Sequence, residues 1–105
     1  MGAIITLTTD FGFKDAYVAS MKGVMLGINP EVSLIDICHT IEPQNISQAA
    51  FVLNNAYFCF PKKSIHLAVI DPDVGSSRRA IILRKPMASF VTPDNGVLSY
   101  IIQKY

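Results

Sequence analysis

A chain of 105 residues has room for one domain with a modest core. Half of its residues are hydrophobic and only 16% are charged, so part of its surface is expected to be covered by something else. The formal net charge is +1 with no basic block, which argues against a nucleic-acid or membrane-surface partner.

No apolar run approaches the ~20 residues of a membrane span, and Asp10 comes too early for a signal peptide; a cytoplasmic protein is expected. Cys38 and Cys59 lack metal or redox spacing and read as two buried, reduced thiols.

In chain order, Ala3 to Thr9 reads as a first strand, ending at Asp10-Phe11-Gly12 with Gly12 as pivot. Asp15 can cap a helix through Val18, Met21, Val24 and Met25, which Gly27 and Pro30 stop. Val32 to Ile37 reads as a second strand, ending near Cys38-His39. Glu42 to Asn45 is a loop, and Ile46 to about Phe58 a second helix with a broad apolar side. After the Pro61-Lys62-Lys63 turn, Ile65 to Ile70 reads as a strand buried on both faces. It stops at Asp71-Pro72, because proline cannot donate to a sheet ladder and biases its predecessor towards extended geometry. Gly75 turns the loop, and Arg78 comes seven positions after Asp71. Ala80 to Leu83 and Ser89 to Val91 are further strands. Pro93-Asp94-Asn95-Gly96 is a turn, and Val97 onwards begins an apolar helix. That helix shows no C-cap signal before Tyr105, so a fragment of a longer chain is expected. The pattern β-α-β-α-β, then β-β-α, predicts an α/β fold of three layers, α/β/α, around a mostly parallel sheet.

In a parallel sheet the carboxyl ends of the strands share one edge. Asp10, the segment Asp36 to His39, and Asp71 therefore converge on one crevice, where open α/β sheets bind small ligands. An acidic crevice suits a cation or a vicinal diol, such as the 2′- and 3′-hydroxyls of a ribose. No Gly-x-Gly-x-x-Gly and no phosphate loop is present, which leaves a nucleoside-like ligand without phosphates. Each residue also has a plainer reading. Asp10 can be a turn residue, Asp15 a helix cap, and Asp71 and Arg78 an ion pair on a solvated loop. Asn95 can be a turn former tolerant of positive φ. Asp36 reads as structural, His39 as a hydrogen-bonded loop histidine rather than a ligand or base, and His66 as a satisfied core residue.

Taken together, Thr8-Thr9-Asp10-Phe11-Gly12, Asp15-x-Tyr17-Val18, Met21-Lys22-Gly23-Val24, Asp36-Ile37-x-His39, Asp71-Pro72-x-Val74-Gly75-x-x-Arg78-Arg79 and Pro93-Asp94-Asn95-Gly96 resemble the S-adenosyl-L-methionine hydrolase (hydroxide adenosyltransferase) family, whose relatives include fluorinase and chlorinase. The resemblance covers nearly all of the chain. It implies the first part of the N-terminal α/β domain of a two-domain protein with a C-terminal β-barrel domain, assembled as a homotrimer. It further implies hydrolysis of S-adenosylmethionine to adenosine and methionine, with no cofactor and no metal. On matching positions, Asp10 would hold the ribose hydroxyls, Asp15 would lie near the methionine end, and Asn95 would join the substrate-binding set. Asp71 and Arg78 would be two of a catalytic Asp-Arg-His set whose His lies in a motif that this chain lacks. Halogenating relatives lack the Asp at position 71 and carry an insertion before the Pro-x-Asn-Gly turn, so the hydrolase branch fits better. Asp73 departs from the Gly usual in the family and puts the loop's shape in question.

The implied chemistry agrees with these residues. A sulfonium makes C5′ electrophilic, and the nucleophile is water, which Arg78 would favour as hydroxide and Asp71 would orient. Two other readings stay open: a nucleoside or S-adenosylmethionine binding module without turnover, and halogenase-like substitution. The segment taken alone is expected to be inactive.

Overall fold

The computed structural model describes residues 3–12, 16–43, 45–70, 80–93 and 98. Among the described residues five strands form one sheet: β1 (Ile4–Thr9), β2 (Ser33–Cys38), β3 (Ser64–Val69), β4 (Ala80–Arg84) and β5 (Ala88–Pro93). Their order is β2-β1-β3-β5-β4. β1 pairs in parallel with β2 and β3, and β3 pairs in parallel with β5. β4 closes the edge antiparallel to β5. The expected mostly parallel α/β sheet is thus present, and the antiparallel pairing of β4 with β5 comes from the short connection over residues 85–87, which is too brief for a crossover helix.

Helix α1 (Tyr17–Ile28) joins β1 to β2, and helix α2 (Ile46–Ala56) joins β2 to β3 through a single 3₁₀ turn at Tyr57–Cys59. Gly27 does not stop α1 as expected. The helix runs through it to Ile28, and Asn29, with φ −140°, closes it by donating its N–H to the Met25 carbonyl. Helix α2 starts at Ile46 as expected, where the Asn45 side chain accepts the Gln48 N–H at 2.9 Å and caps it. Position 15, the expected cap of α1, lies outside the described residues, and so does the helix expected from Val97.

The core sits between α2 and one face of the sheet. Ala49, Ala50, Leu53 and Tyr57 pack with Ala68, Ile70, Ala88 and Phe90, joined by Ile41 and Leu98. β1 is the strand covered on both faces, with Thr6 to Thr9 all buried. β3, expected to be buried on both faces, is only half-covered at Ile65, Leu67 and Val69. Within α1 only Val18 is buried, and Val24 and Ile28 are 65% and 81% exposed. Phe51 and Ile82 are exposed as well, in keeping with a chain too apolar for its own fold.

His66 lies within this core. Its Nδ1 shares a hydrogen bond of 2.7 Å with the Thr6 hydroxyl, its ring stacks on Phe90 at 5.2 Å, and Tyr57 and Phe60 meet it edge-on. The core position is as expected but only half satisfied, since Nε2 has no partner among the described residues. Burial pushes the imidazole pKa down to about 4. An unfolded His66 gains a proton below pH ~6.5 while the folded one resists until about 4, so stability falls across that window by on the order of 3 kcal/mol.

Two outcomes are expected. Leu53→Ala, at a fully buried site, should lower unfolding free energy by roughly 2–5 kcal/mol in urea titration. The stability difference between wild type and His66→Phe should move towards the variant between about pH 7 and about pH 4.5. A difference that does not change with pH would contradict the neutral buried ring.

Candidate functional site

Because β1 lies between β2 and β3, the chain leaves β1 in one direction across the sheet and returns in the other. Such a reversal opens a crevice at the carboxyl ends of the flanking strands. Thr9 is in register with Val69, so the ends of β1 and β3 lie side by side, and Asp10 stands at the mouth, half-buried. Gly12 comes next but one, at φ +70°, a conformation that side chains with a Cβ disfavour. Among the described residues, chain neighbours aside, no atom lies within 4 Å of the place a Cβ would take, so the backbone conformation is the reason for glycine that the structure shows.

The loop from Asp10 to Gly12 is fastened to the end of β2. The Gly12 N–H donates to the His39 carbonyl at 2.7 Å, and the Phe11 N–H donates to Thr9 Oγ1 at 3.2 Å. Thr9 Oγ1 in turn lies 2.7 Å from His39 Nδ1. His39 Nε2 lies 2.6 Å from Asp36 Oδ1, and Lys22 Nζ donates to Asp36 Oδ2 at 2.8 Å. Partial desolvation works against the Asp36 carboxylate, but the hydrogen bonds from Lys22 and His39, with their charge, outweigh it and hold its pKa below the ordinary value.

In a regular strand residues three apart face opposite sides of the sheet, so Asp36 and His39 would not meet. The register explains why they do. Leu7 is opposite Asp36 and Thr8 is opposite Cys38, so Ile37 is an extra residue on β2. Such a bulge bends the strand and re-aims the residues beyond it. His39 is accordingly a buried, hydrogen-bonded loop histidine, as expected from the sequence, and Asp36 is structural.

Of the residues singled out for chemistry, the described part of the structure contains Asp10. Asp15, Asp71, Arg78 and Asn95 lie outside the described residues. No group of three or more His, Cys, Asp or Glu suited to a metal occurs among the described residues. No described helix is long and apolar enough to cross a membrane. Cys38 is half-buried and Cys59 is exposed, so the expectation of two buried thiols fails for Cys59, which ends the 3₁₀ turn at the sheet's amino edge. A recess of about 200 Å³ lined by Tyr57, Phe58, Phe60 and Met87 also lies at that amino edge, away from Asp10. The roles of Thr9 and Lys22 were not foreseen. The one available signal was the Asp-x-x-His spacing across a strand end, which needs the bulge to become a contact.

The chain matches the SAM hydroxide adenosyltransferase N-terminal domain model over residues 5–105. It is 47% identical over 106 residues to the (R)-S-adenosyl-L-methionine hydrolase of Methanocaldococcus jannaschii, covering 96% of this chain and 40% of that protein. It is 27% identical over 125 residues to a fluorinase of Nocardia brasiliensis, covering 97% of this chain and 42% of that protein. A crystal structure of an uncharacterised conserved protein from Thermotoga maritima superposes with a TM-score of 0.91 at 43% identity, over 96% of this chain and 39% of that one. The chain therefore spans about two-fifths of the length of these relatives. The fluorinase alignment needs 125 positions to cover what the hydrolase covers in 106, so fluorinase carries extra positions that this chain and the hydrolase lack. The match over residues 5–105, with the sheet that carries it, places this chain in the SAM hydroxide adenosyltransferase N-terminal domain family.

Proposed function

We propose that the protein to which this chain belongs hydrolyses S-adenosyl-L-methionine to adenosine and L-methionine. The observation that carries the reading is the 47% identity, over 96% of the chain, to a relative named (R)-S-adenosyl-L-methionine hydrolase. The extra positions of the fluorinase alignment favour the hydrolase branch over halogen transfer.

In this reading Asp10, at the carboxyl end of β1, accepts hydrogen bonds from the two ribose hydroxyls. Asp15 and Asn95 belong to the substrate-binding set. Asp71 orients a water molecule, and Arg78 stabilises its hydroxide character in a site that excludes bulk water. The water oxygen forms a bond to C5′ as the C5′–sulfur bond breaks, its proton leaves to the site, and the sulfonium sulfur departs as neutral methionine. The leaving group is activated in the substrate itself, so no metal or cofactor takes part. The histidine of the catalytic set is neither His39 nor His66, both of which are buried and engaged with threonines. The same reading makes the protein a cytoplasmic homotrimer whose site is completed by a further domain.

Incubating the full-length protein with S-adenosylmethionine should release adenosine and methionine. Arg78→Ala and Asp71→Ala should each lower kcat by roughly 10²–10³. Undiminished turnover in Arg78→Ala would remove its catalytic role. Binding without adenosine release would favour a binding module, and a 5′-halogenated nucleoside formed in halide would favour the halogenase reading.

A further inference from the structure

We propose that His39, oriented by Asp36, is the positioning residue that sets Asp10 in place for the ribose; this rests on the ribose-binding role proposed for Asp10. Counting hydrogens fixes the bond to Asp36 and, with the His39 ring neutral as this proposal takes it, the bond to Thr9 as well. The Asp36 carboxylate can only accept, so at 2.6 Å His39 Nε2 must bring the hydrogen. In the neutral ring Nδ1 is then an acceptor, and the hydrogen between Nδ1 and Thr9 Oγ1 is the threonine's own. Thr9 Oγ1, having donated, still has lone pairs and accepts the Phe11 N–H. All these donors point along one line: Phe11 to Thr9, Thr9 to His39, His39 to Asp36. Lys22 donates to the same carboxylate from the far side.

The consequence falls on Asp10, which sits between the two residues so joined. Thr9 before it and Phe11 after it meet at one hydroxyl, and Gly12 is held by the His39 backbone. His39 therefore grips the loop twice, by ring and by carbonyl, and His39 and Thr9 are both fully buried. A ring in the opposite tautomer would present an N–H to Thr9 and lose the Asp36 bond, so the negative charge on β2 chooses the arrangement that organises the end of β1. Asp36 and Lys22 act at one remove, and none of the four needs to touch substrate.

The test uses the full-length protein and separates binding from turnover. Thr9→Val keeps the shape and removes the hydroxyl; His39→Gln can still reach Asp36 but gives up the Nδ1 position. Each should raise KM for S-adenosylmethionine, and its Kd by calorimetry, about tenfold, with kcat within about threefold, and Thr9→Ser should restore KM. The double variant Thr9→Val/His39→Gln should be no weaker than the worse single one, because both remove the same bond. In the wild type, nitrogen NMR should find His39 protonated at Nε2 and bare at Nδ1. Unchanged KM and Kd in Thr9→Val and His39→Gln, with Asp10→Ala impaired, would overturn this proposal while leaving the ribose reading standing. Unchanged KM and Kd in Asp10→Ala would overturn both. A proton found on Nδ1 would overturn the assigned bond directions outright.

Discussion

The hydrogen bond between Thr9 and His39 joins two strand ends that the sheet alone would only bring near each other. Parallel pairing sets β1 beside β2, but it does not say where the chain goes after Thr9. The side-chain bond, together with the Gly12 to His39 backbone bond, directs the loop across the end of β2. Everything proposed for Asp10 depends on that direction. The bond is buried, so its loss would leave a donor and an acceptor without water to replace them.

The site is thus a product of two different kinds of constraint. One is topological: the order β2-β1-β3 makes β1 the reversal point, where side chains from separate strands can meet a small ligand. The other is local and electrostatic: a partly exposed carboxylate, steadied by Lys22, pairs with a buried imidazole. The first is shared by many sheets with many activities. The second belongs to particular residues, and it gives a reason for Thr9, Asp36 and His39 that the fold by itself does not.

Much of the fold was legible because its signals are short-range. Apolar runs broken by Asp-Pro, Pro-Lys-Lys and Asp-Phe-Gly mark all five strands to within a residue or two, and α2 declares itself by Ala49, Ala50 and Leu53 on one side. The antiparallel seat of β4 was not written in any single segment, since β4 and β5 look alike as sequences and differ only in which neighbour each strand finds. The burial of β3 was overstated for a related reason: an apolar run tells what a strand tolerates, whereas coverage depends on elements elsewhere. At the site, Asp10 was legible from its place after a strand. The Asp36–His39 contact was not, because it needs the extra residue at Ile37, and a one-residue shift in register leaves no mark in composition. Membership in the family was readable from several ordered motifs, and the match over residues 5–105 bears it out.

The sheet's threading also has a temporal side. β4 and β5 are neighbours in sequence and can close as a hairpin with a short loop, whereas Thr6 meets His66 only across a separation of 60 residues. On a ribosome the first strand is made early but lacks one of its two flanking partners until β3 has emerged. The strand that leads into Asp10 is therefore apolar and half-paired for as long as the nascent chain is short of β3.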